Sequence, residues 1–87
     1  MSARDGLTDL TAAMGAHGLT GFTVTNVETD DFVRERVRVK VAVPEAWASS
    51  SAVRVVDGEH VVMVTHAELD VAMTWVAELL RSAASCE

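Results

Sequence analysis

A row of cations is the pattern in this sequence best suited to chemistry. Four positively charged residues stand at every second position of one segment, namely Arg34, Arg36, Arg38 and Lys40. A period of two is that of a β-strand, in which alternate side chains project from the same face about 7 Å apart. Cations with that spacing can follow a phosphate backbone or bind an acidic protein surface. In a third interpretation they form a solvated face that Glu28, Asp30 and Asp31 neutralise through cross-strand pairs.

The other reactive residue types do not form a catalytic or metal-binding pattern. His60 and His66 are six residues apart, about 20 Å along an extended strand, which is too far for two ligands of one metal ion. The serines at 49–51 lack the surroundings of a nucleophile elbow, and the glycines between residues 15 and 21 do not open a helix as phosphate-binding glycines do. Cys86 is the only cysteine. The sequence therefore predicts no enzyme, no metal site and no cofactor.

The composition predicts one small domain over residues 1–87. Apolar residues make up 49% of the chain, and the mean hydropathy is +0.23. A domain of this size buries only about 60–65% of its unfolded surface, so surplus apolar residues favour an interface with another protein. No apolar run reaches the roughly 18–20 residues that cross a bilayer, and residues 1–5 lack the apolar region of a signal peptide. We therefore expect a cytoplasmic protein that does not bind a membrane.

The net charge of −6 is unevenly distributed along the chain. Residues 1–31 carry one base and five acids, and residues 55–87 carry one base and six acids. Residues 32–54 between them carry five bases and two acids. A basic band between two acidic segments is therefore the main electrostatic feature.

The first half of the chain reads as a helix followed by two strands. Apolar residues at helical spacing predict a helix over residues 3–16, and alternating β-branched residues predict a strand over 22–27. The alternation breaks at Asn26, which predicts a bulge there. Residues 28–31 read as a polar hairpin loop, and residues 33–43 as a strand with valines on one face and the cations on the other.

The second half begins with a short helical turn, which is followed by a hairpin. The proline at the start of Pro44–Ala48 ends the preceding strand and opens one helical turn. Asp57-Gly58 predicts a two-residue hairpin loop within Val53–Val64 and fixes its register, with Val55 opposite His60. The face of this hairpin that carries Arg54, Val56, Glu59, Val61 and Met63 is half apolar, so we expect it to be covered at least in part.

A helix is predicted to follow, within the segment Thr65–Cys86. Thr65 and Glu68 match the capping box, with Thr65 as the N-cap residue. The core side of the helix is predicted to carry Leu69, Ala72, Met73, Val76, Leu79, Leu80 and Ala83.

These elements predict an α+β fold of order α-β-β-β-β-α. Two hairpins form a four-stranded antiparallel sheet, and the N- and C-terminal helices pack on one of its faces. Because sequential strands usually pair, we expect the strands in meander order, although the connection over residues 44–51 is long enough to permit another order.

Two apolar surfaces remain outside that core. Val71 and Trp75 form a second flank of the last helix, and Trp75 either packs at the sheet edge or anchors an interface. Trp47, in the short turn, either covers the core or is an exposed anchor. Val56, Val61 and Met63 are the other candidate interface.

The sequence favours a small non-catalytic protein-binding or regulatory module, acting as a homodimer or through another protein. Substitution of Trp75 by Ala is then expected to weaken self-association or partner binding. An alternative is a phage-type inhibitor of a nucleic-acid-handling complex, of the anti-CRISPR kind, whose acids imitate phosphates. The third hypothesis is weak nucleic-acid binding through the Arg34–Lys40 row, against which the net negative charge and the lack of an exposed aromatic platform argue.

Overall fold

Two helices and four strands follow one another in the predicted order. The computed structural model describes the backbone of residues 3–29 and 34–85, and side chains over residues 6–27 and 36–85. The elements are α1 (Ala3–Ala16), β1 (Thr23–Thr29), β2 (Arg34–Ala42), a short 3-10 helix (Glu45–Trp47), β3 (Arg54–Val56), β4 (Glu59–His66) and α2 (Leu69–Ser85). The order and the antiparallel sheet confirm the predicted α+β class. In the described ranges, no helix is long and apolar enough to cross a bilayer.

The valine face of β2 and the apolar stripe of α2 form the core. Helix α2 packs on β2 and β4, and α1 packs against α2. The buried side chains of the cluster are Leu10, Ala13 and Met14 of α1, Val39 and Val41 of β2, Val62 and Val64 of β4, and Ala72, Met73, Val76, Ala77, Leu80 and Ala83 of α2, together with Trp47. The predicted stripe of the last helix is confirmed, with Leu69 and Leu79 partly buried at its margin. Trp47 is 3% exposed, so it closes the core and is not an exposed anchor.

The strand order is β1-β2-β4-β3, so the predicted meander order is wrong. Strand β2 pairs antiparallel with β4, from Val37 opposite His66 to Ala42 opposite Val61. Strand β3 has three residues and β4 has eight. Only β4 is long enough to pair with β2 along the whole valine face, and its Val62 and Val64 are buried there. The short strand β3 is therefore left at the edge.

Strand β1 is regular and longer than predicted. Its register against β2 runs without interruption from Thr23 opposite Lys40 to Thr29 opposite Arg34. The bulge predicted at Asn26 is therefore absent, because Asn26 pairs directly with Val37. Glu28 and Thr29 belong to the strand and not to the loop, while the loop residues Asp30 and Asp31 lie outside the described residues.

The hairpin between β3 and β4 has the predicted register. Val55 lies opposite His60, and the turn residues Asp57 and Gly58 have φ angles of 51° and 83°. Positive φ at both central positions is the requirement of a type I′ turn, which matches the twist of the flanking strands. Val55 is 64% exposed, because its edge strand extends beyond the helices.

Helix α2 starts later than the capping box predicts. Thr65 lies within β4 opposite Arg38, and its hydroxyl oxygen accepts a hydrogen bond from Arg38 Nε at 3.2 Å. The helix begins at Leu69, and the Glu68 carbonyl accepts the bond from Ala72 N. His66 Nδ1 accepts the N–H of Glu68 at 3.0 Å and takes over the expected role of Thr65. The strand ladder, which continues to His66, has displaced the cap.

Two contacts fix α1 against α2. Gly6 lies against the backbone of Asp70 so closely that a Cβ atom at Gly6 would stand 2.8 Å from Asp70 Cα. About one turn further along α1, both carboxylate oxygens of Asp9 accept hydrogen bonds from Arg81, at 2.5 and 3.4 Å. The first contact explains a glycine inside a helix, where this residue is otherwise unfavourable.

Candidate functional site

The sheet face opposite the helices brings together two sets of residues that the sequence presents separately. Paired residues of neighbouring strands share a face and side chains alternate along each strand, so the residues that alternate with the buried valines and their partners define the other face. This outer face consists of Thr23, Thr25 and Val27 on β1, Arg36, Arg38, Lys40 and Ala42 on β2, Glu59, Val61, Met63 and Thr65 on β4, and Arg54 and Val56 on β3. No described helix packs on it. The cation row and the apolar face of the second hairpin are thus one surface.

The cations of β2 have polar but uncharged neighbours in the sheet. Arg38 lies between Thr25 and Thr65, and Lys40 lies between Thr23 and Met63. Among the described residues, none of Arg36, Arg38 and Lys40 forms an ion pair. Arg34 occupies the first position of β2, and its side chain is not among those described.

The expected neutralisation by Glu28 does not arise from strand pairing. Glu28 is in register with Glu35, and its position alternates with those of the threonines opposite the cations. The nearest acid in the outer face is Glu59, at the far end of β4 opposite Val56. Arg54 lies two residue pairs from Glu59 along the hairpin, opposite Val61. The outer face therefore carries an excess of positive charge within a chain whose net charge is −6.

The apolar part of the outer face contains one buried residue and two partly exposed residues. Val61 is 1% exposed and is flanked by Ala42 and Arg54 across the two ladders. Met63 and Val56 are intermediate in exposure. Of the three predicted interface residues on this hairpin, Met63 and Val56 are accessible to a partner, whereas Val61 is buried.

The described acids lie mainly on the helical layer. Asp9 and Glu78 lie near Arg81, whose pKa is raised first by its hydrogen bond to Asp9 and also by the charges of Asp9 and Glu78. Glu68 and Asp70 lie at the start of α2. The charge bands of the sequence thus become a basic sheet face and an acidic helical layer. The inhibitor hypothesis needs Asp5, Asp9, Glu68, Asp70 and Glu78 on one surface. The side chain of Asp5 is not among those described, and the other four form two groups, Asp9 with Glu78 beside the cation Arg81, and Glu68 with Asp70 at the start of α2.

The helix flank predicted as an interface forms a separate groove. Trp75 is 49% exposed and, with Val71, Thr74, Glu68 and Asp70, lines an open depression of about 450 Å³. The Trp75 ring meets the His66 ring edge-on, with the ring centres 5.2 Å apart. Since His66 is on the inner side of β4, this groove does not join the outer face. One side of the Trp75 ring therefore contacts His66 at the end of β4, while about half of the side chain remains accessible.

Ser50 and His17 have structural contacts. Ser50 is buried, and its Oγ accepts the N–H of Ala52 at 3.2 Å within the turn. The His17 ring meets the buried Trp47 edge-on at 5.5 Å between centres. Within the described ranges, no group of three His, Cys, Asp or Glu side chains is placed to hold a metal ion.

Two features of this site are not evident from sequence reasoning. Pairing between β2 and β4 places Lys40 beside Met63, and the strand lengths on either side of Asp57-Gly58 are the signal that could have indicated it. Arg54, which lies on β3, also belongs to this group of cations.

In comparisons with known proteins, no family model, no curated protein and no solved structure matched the chain.

Proposed function

We propose that the chain is a small, non-catalytic, cytoplasmic protein-binding module whose outer sheet face binds an acidic and partly apolar segment of another protein. The observation that supports this most is the position of Lys40 beside Met63 on a face that no described helix covers. Partner carboxylates would meet Arg36, Arg38 and Lys40, and partner apolar side chains would cover Met63 and Val56.

The mixed character of the face favours a protein over a nucleic acid. Phosphates match the cations, but they do not match the apolar area around Met63. The described positions of the outer face hold no aromatic ring on which a base can stack, and such stacking is the usual source of affinity for single strands.

The expected binding is weak and depends on salt. Exposed ion pairs contribute about 0.2–1 kcal/mol each, and they are screened over about 8 Å at physiological ionic strength. Burial of one methionine and one valine adds a salt-insensitive part. A short peptide should therefore bind with a Kd on the order of 100 µM, because the loss of conformational freedom of the peptide offsets most of the free energy gained from these contacts.

Fluorescence anisotropy with a labelled peptide of alternating Glu and Leu tests the proposal, and the same peptide with Gln in place of Glu is the control. We expect the Glu peptide to bind and the Gln peptide to bind at least several-fold more weakly. Lys40→Gln should weaken binding, whereas Arg81→Gln, which changes the net charge equally on the helical layer, should not.

Duplex DNA is the competing probe in the same assay. If DNA binds more tightly than the Glu peptide and Lys40→Gln abolishes that binding, the partner is a nucleic acid and the proposal is wrong. Equal losses for Lys40→Gln and Arg81→Gln would also contradict it, because the effect would then come from net charge.

A further inference from the structure

The two edges of the sheet are protected to different degrees. Strand β3 is three residues long and carries Arg54, and both shortness and charge discourage pairing with another chain. Strand β1 has seven residues, contains no proline, lysine or arginine, and pairs with β2 without a bulge. An edge of this kind presents unpaired backbone N–H and C=O groups to any further strand.

The helical layer leaves the inner side of β1 partly exposed. Helix α2 packs on β2 and β4. Val24 faces the helical side of the sheet, as its partner Val39 does, yet Val24 is 42% exposed and Val39 is fully buried. Asn26, two residues further on, is also exposed. Among the residues that the structure describes, β1 is therefore an edge strand whose inner side is also accessible to a second chain.

We propose that β1 pairs antiparallel with β1 of a second copy of this chain, so that the two sheets form one sheet of eight strands. A two-fold axis perpendicular to the sheet and passing near Asn26 relates the copies. It places Thr23 opposite Thr29 of the second copy and Thr25 opposite Val27. Such β-branched and threonine pairs stabilise antiparallel strands, and the isologous contact closes at two copies.

The composition of β1 favours a second copy as the occupant. Glu28 is the only charged residue of the strand, so self-pairing brings no like charges directly opposite each other. The acids of α2 stay away from the contact, since α2 packs over β2 and β4.

Pairing about this axis also keeps equivalent faces on the same side. The cation rows of the two β2 strands would then lie three strand spacings apart, about 14 Å, on one continuous outer face. The strand pairing itself does not depend on the binding function proposed above.

Sedimentation analysis of the full chain over a range of concentrations tests this pairing. We expect a concentration-dependent dimer. Asn26→Lys and Asn26→Asp should each raise its dissociation constant about fivefold, because either sign meets itself at the two-fold axis. Val55→Lys, on the exposed part of edge strand β3, and Asn26→Thr should leave the dimer unchanged. Thermal unfolding of each variant checks that the monomer fold is retained.

Amide hydrogen exchange supplies a second readout. Protection should increase with protein concentration at residues 23–29 and not at residues 54–56. A monomer at all concentrations would overturn the proposal. So would a dimer that only one of the two charged substitutions weakens, because a different partner surface would then face Asn26. A dimer lost in Trp75→Ala and retained in both Asn26 variants would place the contact at the groove on α2.

Discussion

Lys40 of β2 lies directly opposite Met63 of β4 on the uncovered face of the sheet. Each residue belongs to a different pattern of the sequence, one to the alternating cations and the other to the half-apolar hairpin. Antiparallel pairing of the long strands β2 and β4 joins the two patterns. A surface that carries both charge and apolar area is suited to a protein partner, in which carboxylates and apolar side chains occur together.

Val61 and Met63 should separate stability from binding. Val61→Ala removes methyl groups from a side chain that is 1% exposed, and we expect it to lower the free energy of unfolding by about 2 kcal/mol. Met63→Ala, at a partly exposed position, should cost less than about 1 kcal/mol and should weaken binding of the Glu-Leu peptide. Urea denaturation and anisotropy measure the two effects. A larger stability loss for Met63→Ala than for Val61→Ala would contradict this division.

Two glycines of α1 should respond to alanine in opposite directions. At Gly6 a Cβ atom would overlap the backbone of Asp70, so Gly6→Ala should destabilise the fold by about 1–3 kcal/mol despite the better helix propensity of alanine. A Cβ atom at Gly15 would meet no atom within 4 Å. Gly15→Ala should therefore stabilise by up to about 1 kcal/mol. Thermal unfolding measures the stability of both variants. Stabilisation by Gly6→Ala would show that Gly6 does not lie against the backbone of Asp70.

The ion pair between Asp9 and Arg81 should contribute little to stability. Both side chains are accessible, at 34% and 47% exposure, and exposed pairs are typically worth about 0.2–1 kcal/mol. Asp9→Asn should lower the free energy of unfolding within that range, and the loss should shrink in high salt. Chemical denaturation at low and high ionic strength measures it. A loss that is independent of salt would indicate a packing effect.

Trp75 should matter little for the fold. Its ring is 49% exposed and its described ring contact is with His66, so Trp75→Ala should cost about 1 kcal/mol or less. Affinity for the Glu-Leu peptide should be unchanged, because the α2 groove is separate from the outer face. Trp75→Phe is the matched control, since it keeps an aromatic ring against His66. Loss of peptide binding in Trp75→Ala and not in Trp75→Phe would move the binding site to the groove.

The sequence predicts an element where one local pattern extends over many residues. Alternation of valines and cations from residue 33 to residue 43 predicts the half-buried strand β2. Asp57-Gly58 predicts the hairpin of β3 and β4, because its two residues adopt the positive φ angles that the turn requires. The stripe of α2 follows from helical periodicity in the same way.

The features that the sequence does not reveal depend on contacts between distant segments. Thr65 satisfies both a helix cap and a strand position, and pairing with Arg38 decides between them. The same pairing determines the strand order and joins Lys40 to Met63. Exposure of Val24 likewise depends on where the helices end over the sheet, which no local pattern contains.

Residue-resolved NMR of the labelled chain, titrated with the Glu-Leu peptide, tests the outer-face proposal most directly. We expect the largest amide shifts at residues 36–42 and 61–65, and little change at residues 68–75 of α2. Lys40→Gln should reduce those shifts at equal peptide concentration, and Arg81→Gln should not. Shifts confined to the groove around Trp75, or absent from β2 and β4 at saturating peptide, would contradict the outer-face proposal.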